Sequence, residues 1–128
     1  MIKVLVIEDN LSILRNTAEF LKLEGYAVTI ATNGKNGLKK IYELIPDIII
    51  CDLLMPEMGG FELLGIIGKH PKYNRIPVIL FSAKTEKSDV KKGLGAGAVG
   101  YITKPFDLDE LLQTIKHCLK KRKHPKII

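Results

Sequence analysis

The sequence predicts one α/β domain built on a doubly wound parallel sheet. Five short apolar runs alternate with longer segments whose apolar residues recur at helical spacing, which indicates five consecutive strand–helix units. The stronger runs are apolar at nearly every position, as expected for strands that helices cover on both faces. A length of 128 residues leaves room for one such core and for no second.

The strands are predicted where β-branched and other apolar residues cluster. Four strong runs and a weaker fifth one fall at residues 2–7, 26–31, 48–51, 78–81 and 98–102. Helical periodicity is clearest in the first and last intervening segments, at Leu11, Leu14, Ala18 and Leu21 and then at Leu108, Leu111, Leu112, Ile115 and Leu119.

Residues typical of helix ends support the same division. Asn10 is placed to cap the first helix and Gly25 to end it. Pro46 closes the second helix, and Asp107 with Glu110 three positions later resembles a capping pair that opens the last one.

Composition excludes several other classes of protein. Hydrophobic residues make up 46% and charged residues 27%, a balance typical of folded globular chains and not of disordered or fibrous ones. No apolar run approaches the length of a membrane span, and the N-terminus shows no leader pattern, so we expect a cytoplasmic protein without a membrane partner. Cys51 and Cys118 are not part of a CxxC pair, and a structural zinc site is not expected.

The positive charge is confined to one end of the chain. The formal net charge is +6, yet residues 1–115 hold 14 basic and 14 acidic side chains. The excess comes from Lys116, Lys120, Lys121, Arg122, Lys123 and Lys126. We therefore divide the chain into a folded domain at residues 1–119 and a basic tail, or the start of a linker, at residues 120–128.

Polar residues follow four of the five apolar runs. They are Glu8 and Asp9, Asp52, Ser82, and Thr103 with Lys104. The carboxyl ends of parallel strands meet at one edge of the sheet, where ligands of open α/β folds bind.

Such an edge has the parts for phosphoryl transfer. Three neighbouring carboxylates repel one another unless a hard cation such as Mg²⁺ lies between them. Lys104 and Ser82 could then bind phosphoryl oxygens, and the Asp52 carboxylate could be the nucleophile that forms an acyl phosphate.

These residues lie in segments that resemble the receiver domains of two-component response regulators. The resemblance covers the chain from Lys3 to Leu119. The segments are Val4-Leu5-Val6-Ile7-Glu8-Asp9-Asn10, Asp52-Leu53-Leu54-Met55-Pro56-Glu57-Met58-Gly59-Gly60, Ser82-Ala83-Lys84, and Gly97-Ala98 followed by Tyr101-Ile102-Thr103-Lys104-Pro105-Phe106. The resemblance implies a flavodoxin-like fold with five helices and strand order 2-1-3-4-5.

The resemblance also implies roles for individual residues. Asp52 would accept a phosphoryl group, and Glu8, Asp9, Asp52 and the backbone carbonyl of Leu54 would bind Mg²⁺. Ser82 and Lys104 would hold the phosphoryl oxygens, and Ser82 with Tyr101 would form the switch. The Lys104-Pro105 bond resembles one that is cis in the family. Leu54 and Lys84 occupy positions that tune how long the phosphoryl group survives.

The implied function is a phosphorylation-dependent signalling switch and not an enzyme acting on external substrates. The donor would be a sensor histidine kinase or a phosphotransfer protein. The phosphorylated surface of helix 4, strand 5 and helix 5 would control a downstream protein or effector domain until slow autodephosphorylation reset it. Homodimerisation on activation is left open, and nucleic acid would be a partner only if an effector domain follows.

Two alternatives remain at this stage. One is a Mg²⁺-dependent phosphohydrolase or nuclease on a related fold, although Asp52-Leu53-Leu54 lacks the second acid of a DxD motif. The other is a phosphorylation-independent interaction module that uses the basic tail, either as a linker or as a patch for an acidic partner or nucleic acid. The sequence names neither the kinase nor the output.

Overall fold

The structure is a computed structural model that describes residues 1–83 and 87–120. Its elements alternate in chain order as β1 (Lys3–Ile7), α1 (Leu11–Leu23), β2 (Ala27–Ala31), α2 (Gly34–Leu44), β3 (Ile48–Asp52), α3 (Gly60–Gly68), β4 (Val78–Ala83), α4 (Lys87–Gly95), β5 (Gly100–Lys104) and α5 (Leu108–Lys120). The expectations for Lys84 and for residues 121–128 lie outside the described residues.

The five strands form one sheet in the order β2-β1-β3-β4-β5. Every neighbouring pair is parallel. The predicted fold class and the strand order implied by the resemblance are both confirmed. Parallel pairing brings the carboxyl ends of β1, β3, β4 and β5 side by side.

Alternate residues of the central strands face two separate hydrophobic layers. Val4, Val6, Ile48 and Ile50 pack with residues of α1 and α5, including Leu14 and Ile115. Leu5, Ile7, Ile49 and Cys51 pack on the other face with residues of α2, α3 and α4, including Ile41, Leu63 and Val90. Both faces of β3 are therefore buried, which explains its unbroken apolar sequence.

Helix ends follow the expected residues. Asn10 accepts a hydrogen bond from the Ile13 N–H at 3.1 Å, and Asp107 accepts one from the Glu110 N–H at 2.7 Å. Gly25 follows α1 with φ +95°, a conformation that suits glycine. The predicted roles of Asn10, Asp107 and Gly25 at these helix ends are confirmed.

The second helix ends in a less usual way. The last helical residue is Leu44, and Ile45 adopts a left-handed conformation with φ +46° directly before Pro46. This conformation is strained for a β-branched side chain. Pro46 cannot continue the helix, so the chain turns here into β3.

The fifth strand begins later than predicted. It covers Gly100–Lys104 rather than residues 98–102. The N–H of Ala98 still donates to the carbonyl of Gly93 at 3.1 Å, so Ala98 belongs to the turn that ends α4. As a result Lys104 is the last residue of β5 and lies at the edge of the sheet. Within the described part of the chain, no helix is long and apolar enough to cross a bilayer.

Candidate functional site

Four adjacent strands deliver polar side chains to one edge of the sheet. Glu8 follows β1 directly, Asp52 is the last residue of β3, and Lys104 is the last residue of β5. Ser82 lies in β4, paired with Thr103 of β5. The strand order alone therefore brings together residues that are up to 96 positions apart, as the numbers of Glu8 and Lys104 show.

Three carboxylates form a cluster at this edge. One oxygen from each of Glu8, Asp9 and Asp52 lies within 4.8 Å of the others. Glu8 and Asp52 are buried, whereas Asp9 is exposed and closes the cluster on the solvent side. The Asn10 N–H donates to Glu8 Oε2 at 3.2 Å, which fixes one side of the Glu8 carboxylate.

Lys104 is the cation of this cluster in the described structure. Its Nζ lies 2.6 Å from Glu8 Oε1 and 3.0 Å from Asp52 Oδ2. The buried Glu8 Oε1 has this ionic contact but no well-aligned hydrogen bond. One ammonium faces three carboxylates, so the cluster retains excess negative charge.

The pKa values reflect this imbalance. Desolvation raises the pKa of Asp9, and a hydrogen bond and charge repulsion from Glu8 raise it further. Burial on its own would lower the pKa of Lys104, but its close contacts and ion pairs with Glu8 and Asp52 outweigh burial and raise that pKa. The ammonium is thus held charged, while Asp9 ionises at a cost that a second cation would remove.

The donor set fits a magnesium ion. Mg²⁺ prefers carboxylate, carbonyl and water oxygens, and it commonly takes a few protein ligands together with phosphate. Glu8, Asp9 and Asp52 offer such oxygens, and their unbalanced charge favours a divalent cation. Leu54 lies two residues beyond Asp52, in the loop before α3, and the role of its carbonyl stays a prediction.

Ser82 has a buried hydroxyl that lacks a partner. The residue is 1% exposed, and its Oγ makes no hydrogen bond within the described structure. An unsatisfied buried hydroxyl is costly, and its presence at this edge is explained if an incoming oxygen accepts from it.

Tyr101 lies apart from the carboxylates, on β5. It is 48% exposed and lines an open groove of about 680 Å³ together with Ser82 and Thr103. The other wall of this groove is α4, through Lys87, Val90, Lys91 and Leu94. Ser82 therefore connects the acidic edge with the groove beside Tyr101.

One feature of the site has no clear signal in the sequence. Phe81 and Phe106 stack with ring centroids 5.0 Å apart, and Lys104 Nζ lies 5.9 Å from the Phe81 centroid. The Lys104 ammonium therefore lies within cation–π distance of one ring of the stack while it contacts Glu8 and Asp52. Phe106 reaches Phe81 only through the turn after β5, which periodicity cannot predict.

Asp9→Asn is expected to stabilise the metal-free protein and to abolish its response to Mg²⁺. The folded-state pKa of Asp9 is raised, so its charge opposes folding above that pKa, and the penalty fades as pH falls through it. Thermal unfolding at neutral pH in a chelator should give a higher Tm for the variant. Saturating Mg²⁺ should raise the Tm of the wild type and leave that of Asp9→Asn unchanged.

The control for this prediction is Glu19→Gln, which removes an exposed carboxylate outside the cluster. Its Tm should respond to Mg²⁺ as the wild type does. If Mg²⁺ raised the Tm of Asp9→Asn as much as that of the wild type, Asp9 would not be a ligand.

The fold and the site together define a class. A doubly wound sheet in the order 2-1-3-4-5, with an acidic cluster and a lysine at the carboxyl ends of its strands, is the architecture of chemotaxis-regulator-like signalling domains. A family model for the response regulator receiver domain matches residues 4–116. The chain belongs to this family, the receiver domains of two-component response regulators.

Individual relatives agree with this assignment. The transcriptional regulatory protein KdpE of Mycobacterium tuberculosis is 39% identical over 121 residues, which cover 94% of this chain and 52% of KdpE. Protein PilG of Pseudomonas aeruginosa is 37% identical over 115 residues, which cover 90% of this chain and 85% of PilG. The solved chemotaxis response regulator CheY4 of Vibrio cholerae is 32% identical with a TM-score of 0.86, and the match covers 92% of this chain and 98% of CheY4.

Several of these relatives are longer than this chain. The chain spans about half the length of several transcriptional regulators that it matches. Receiver domains generally bind Mg²⁺ and pair with a phosphodonor and a downstream effector, and the acidic cluster of this chain could hold such a metal.

Proposed function

We propose that this receiver domain is a phosphoaspartate switch in which Asp52 accepts a phosphoryl group from a histidine kinase or a phosphotransfer protein. The observation that carries the proposal is the position of the Asp52 carboxylate. It is buried beside two further carboxylates, and Lys104 holds its Oδ2 at 3.0 Å. A nucleophile, a carboxylate cluster with excess negative charge and a cation for the phosphoryl oxygens therefore share one small volume.

The transfer would proceed by direct attack. A carboxylate oxygen of Asp52 forms a bond to phosphorus while the P–N bond of a phosphohistidine breaks, and the imidazole nitrogen keeps the electron pair. Lys104, which binds Asp52 Oδ2 before transfer, is placed to bind a phosphoryl oxygen afterwards. Slow hydrolysis would follow by attack of water on phosphorus, which releases inorganic phosphate and restores the carboxylate.

Glu8, Asp9, Asp52 and the Leu54 carbonyl would hold the metal. When bound, Mg²⁺ offsets the charge of the carboxylates and of the incoming phosphoryl group. Asp9, on the solvent side, is placed to admit the ion, and the buried Glu8 would fix it from below. Before the metal enters, Lys104 prevents the two buried carboxylates from facing each other unpaired.

The signal would leave through Ser82. A phosphoryl oxygen on Asp52 offers the acceptor that the buried Ser82 hydroxyl lacks. Movement of Ser82 toward that oxygen changes one wall of the groove beside Tyr101, and the half-exposed ring can then turn inward. The surface formed by α4, β5 and α5 would change and control a downstream protein or effector domain.

An open apolar groove next to Lys104 suits the donor. It measures about 700 Å³ and lies between α1 and the segment Lys104–Leu108, with Ile13, Phe20 and Phe106 among its lining residues. A protein that presents a phosphohistidine to Asp52 must cover this edge of the sheet. The groove gives such a donor an apolar contact surface beside the reacting carboxylate.

The domain would turn over no external substrate, and a cytoplasmic location stays a prediction. Because several related transcriptional regulators are about twice as long and PilG is not, the output is assigned only as a downstream protein or an attached effector domain. Binding of nucleic acid would belong to such a domain, and dimerisation on activation remains open.

Incubation with acetyl phosphate tests the proposal. With Mg²⁺ we expect one phosphoryl group per chain, located on Asp52 by peptide mapping and removed by hydroxylamine as expected for an acyl phosphate. A chelator should suppress the labelling.

The control variants are Asp52→Asn, which removes the nucleophile, and Asp47→Asn, which changes an aspartate before β3. Only Asp52→Asn should lose the label. Equal labelling of Asp52→Asn at the same site would overturn the assignment, and steady hydrolysis of simple phosphoesters would favour the phosphohydrolase alternative.

A further inference from the structure

The first turn of α2 lies against the loop between β3 and α3. A β-carbon on Gly34 would overlap the carbonyl oxygen of Met58 and would lie 2.7 Å from Met58 Cβ and Cγ. Only glycine therefore fits at position 34 without a steric overlap with Met58. Any side chain there must push the loop or the helix end away.

The same loop is closed on its other side by its own backbone. The N–H of Gly60 donates to the carbonyl of Leu53 at 3.0 Å, and the N–H of Met58 donates to the carbonyl of Pro56 at 2.8 Å. A β-carbon on Gly59 would lie 2.6 Å from the Leu53 oxygen. The loop thus has little freedom to absorb a displacement of Met58.

This loop is part of the metal site that the proposed function requires. It begins directly after Asp52 and contains Leu54, whose carbonyl is the expected fourth protein ligand. The three atoms nearest to a β-carbon on Gly34 all belong to Met58, and Gly34 is 18 positions before Asp52 in the chain. Its effect on the site must therefore pass through Met58.

We propose that Gly34 is a positioning residue of the metal site. The absence of a side chain at Gly34 lets α2 support the β3–α3 loop, so that the Leu54 carbonyl and the Asp52 carboxylate keep the spacing that Mg²⁺ needs. The inference rests on the proposed function. Mg²⁺ demands near-ideal octahedral geometry, so a small displacement of one ligand weakens binding.

Gly37, one turn later in α2, provides a matched control. A β-carbon there would overlap Cδ1 of Ile7 and lie 2.8 Å from its Cγ1. The contact is with the far end of a core side chain and not with the loop. Ile7 precedes Glu8, but the overlap is with the tip of its side chain, so Gly37→Ala should reduce stability without displacing the β3–α3 loop that carries Leu54.

The experiment compares Gly34→Ala and Gly37→Ala in a stabilised background. Gly65→Ala supplies that background, since Gly65 lies in α3 with open space around its α-carbon, where alanine favours the helix. Mg²⁺ affinity of the metal-free chains is measured by calorimetric titration, and stability by urea unfolding in a chelator. We expect Gly34→Ala to raise the Mg²⁺ Kd by about 10-fold, and Gly37→Ala to leave it unchanged while both lose stability.

A second variant loosens the same turn without adding atoms. Asn33 caps α2 by accepting a hydrogen bond from the Asn36 N–H at 2.8 Å, and Asn33→Ala removes that bond. This variant should also weaken Mg²⁺ binding, by a smaller factor than Gly34→Ala.

The outcomes separate the two proposals. If the parent chain binds Mg²⁺ and Gly34→Ala binds it equally well, Gly34 has no positioning role. If Gly34→Ala does not fold and Asn33→Ala retains full affinity, the inference is equally overturned. If the parent itself does not bind Mg²⁺, the metal site of the proposed function fails first.

Discussion

Replacing Lys104 by methionine is expected to destabilise the metal-free protein by about 2 to 3 kcal/mol. Lys104 Nζ lies 2.6 Å from the fully buried Glu8 and 3.0 Å from Asp52, and it is the cation of this cluster in the described structure. Removing one partner of a fully buried ion pair costs about 3 to 5 kcal/mol. The Lys104 side chain is 22% exposed, so solvent screens part of that cost.

Urea unfolding in a chelator measures the loss. Methionine has an unbranched apolar side chain like the lysine stem, so the change removes the charge with little loss of packing. Saturating Mg²⁺ should restore most of the stability, because a divalent cation replaces the ammonium among the same carboxylates.

The pH dependence has a defined sign. Lys104 lowers the pKa of Asp9, although desolvation and Glu8 keep that pKa above its ordinary value. Loss of Lys104 raises it further. A raised folded-state pKa means that ionisation opposes folding, so the deficit of the variant is largest at neutral pH and shrinks as pH falls.

The matched control is Lys40→Met. Lys40 pairs with Glu43 on the exposed surface of α2 at 4.0 Å, and such pairs contribute less than about 0.5 kcal/mol. Equal losses for Lys40→Met and Lys104→Met would show that the cluster has no special need of Lys104. A loss at Lys104 that Mg²⁺ fails to repair would place the metal elsewhere.

The sequence predicted those parts of the fold that depend on local pattern. The buried strands β1, β3 and β4 stand out because both of their faces meet helices, so their apolar runs are continuous. The end of β1 directly before Glu8 and the end of β3 next to Asp52 followed from the same pattern to within one residue. Strand order did not follow from periodicity and came from the resemblance to receiver domains.

The site was less predictable where long-range contacts decide it. The start of β5 was misplaced because the turn after α4 extends through Ala98, which looks like strand sequence. The lack of a partner for Ser82 depends on what surrounds its Oγ in three dimensions. The close approach of Gly34 to Met58 brings the first turn of α2 against the β3–α3 loop, and no spacing rule connects the two.

Ser82→Ala is expected to stabilise the unphosphorylated protein by about 1 kcal/mol and to abolish the response of the Tyr101 groove. The gain in stability arises because the Ser82 hydroxyl is 1% exposed and has no hydrogen-bond partner among the described residues, so alanine removes a polar atom that is desolvated without compensation. The response of the Tyr101 groove is lost because alanine offers no hydrogen-bond donor to a phosphoryl oxygen on Asp52.

Two measurements check these opposite effects. Urea unfolding in a chelator gives the stability, and amide NMR shifts of β5 and α4 report the groove when beryllofluoride and Mg²⁺ mimic the phosphoryl group. The wild type should shift at Tyr101 and at Lys91 across the groove. Ser82→Ala should bind the mimic at Asp52 and leave those shifts near their unliganded values.

Thr114→Val is the control for the stability effect. The Thr114 hydroxyl donates to the Glu110 carbonyl at 2.8 Å, so its removal breaks a satisfied hydrogen bond and should not stabilise the protein.

A full NMR shift at Tyr101 in Ser82→Ala would show that the signal bypasses Ser82. If Ser82→Ala were no more stable than the wild type, burial of the Ser82 hydroxyl would not reduce the free energy of unfolding. The expected combination is that Ser82→Ala is more stable, binds the mimic and shows no NMR shift at Tyr101. One unsatisfied hydrogen-bonding group then produces both effects, and the cost of burying Ser82 is inseparable from its signalling role.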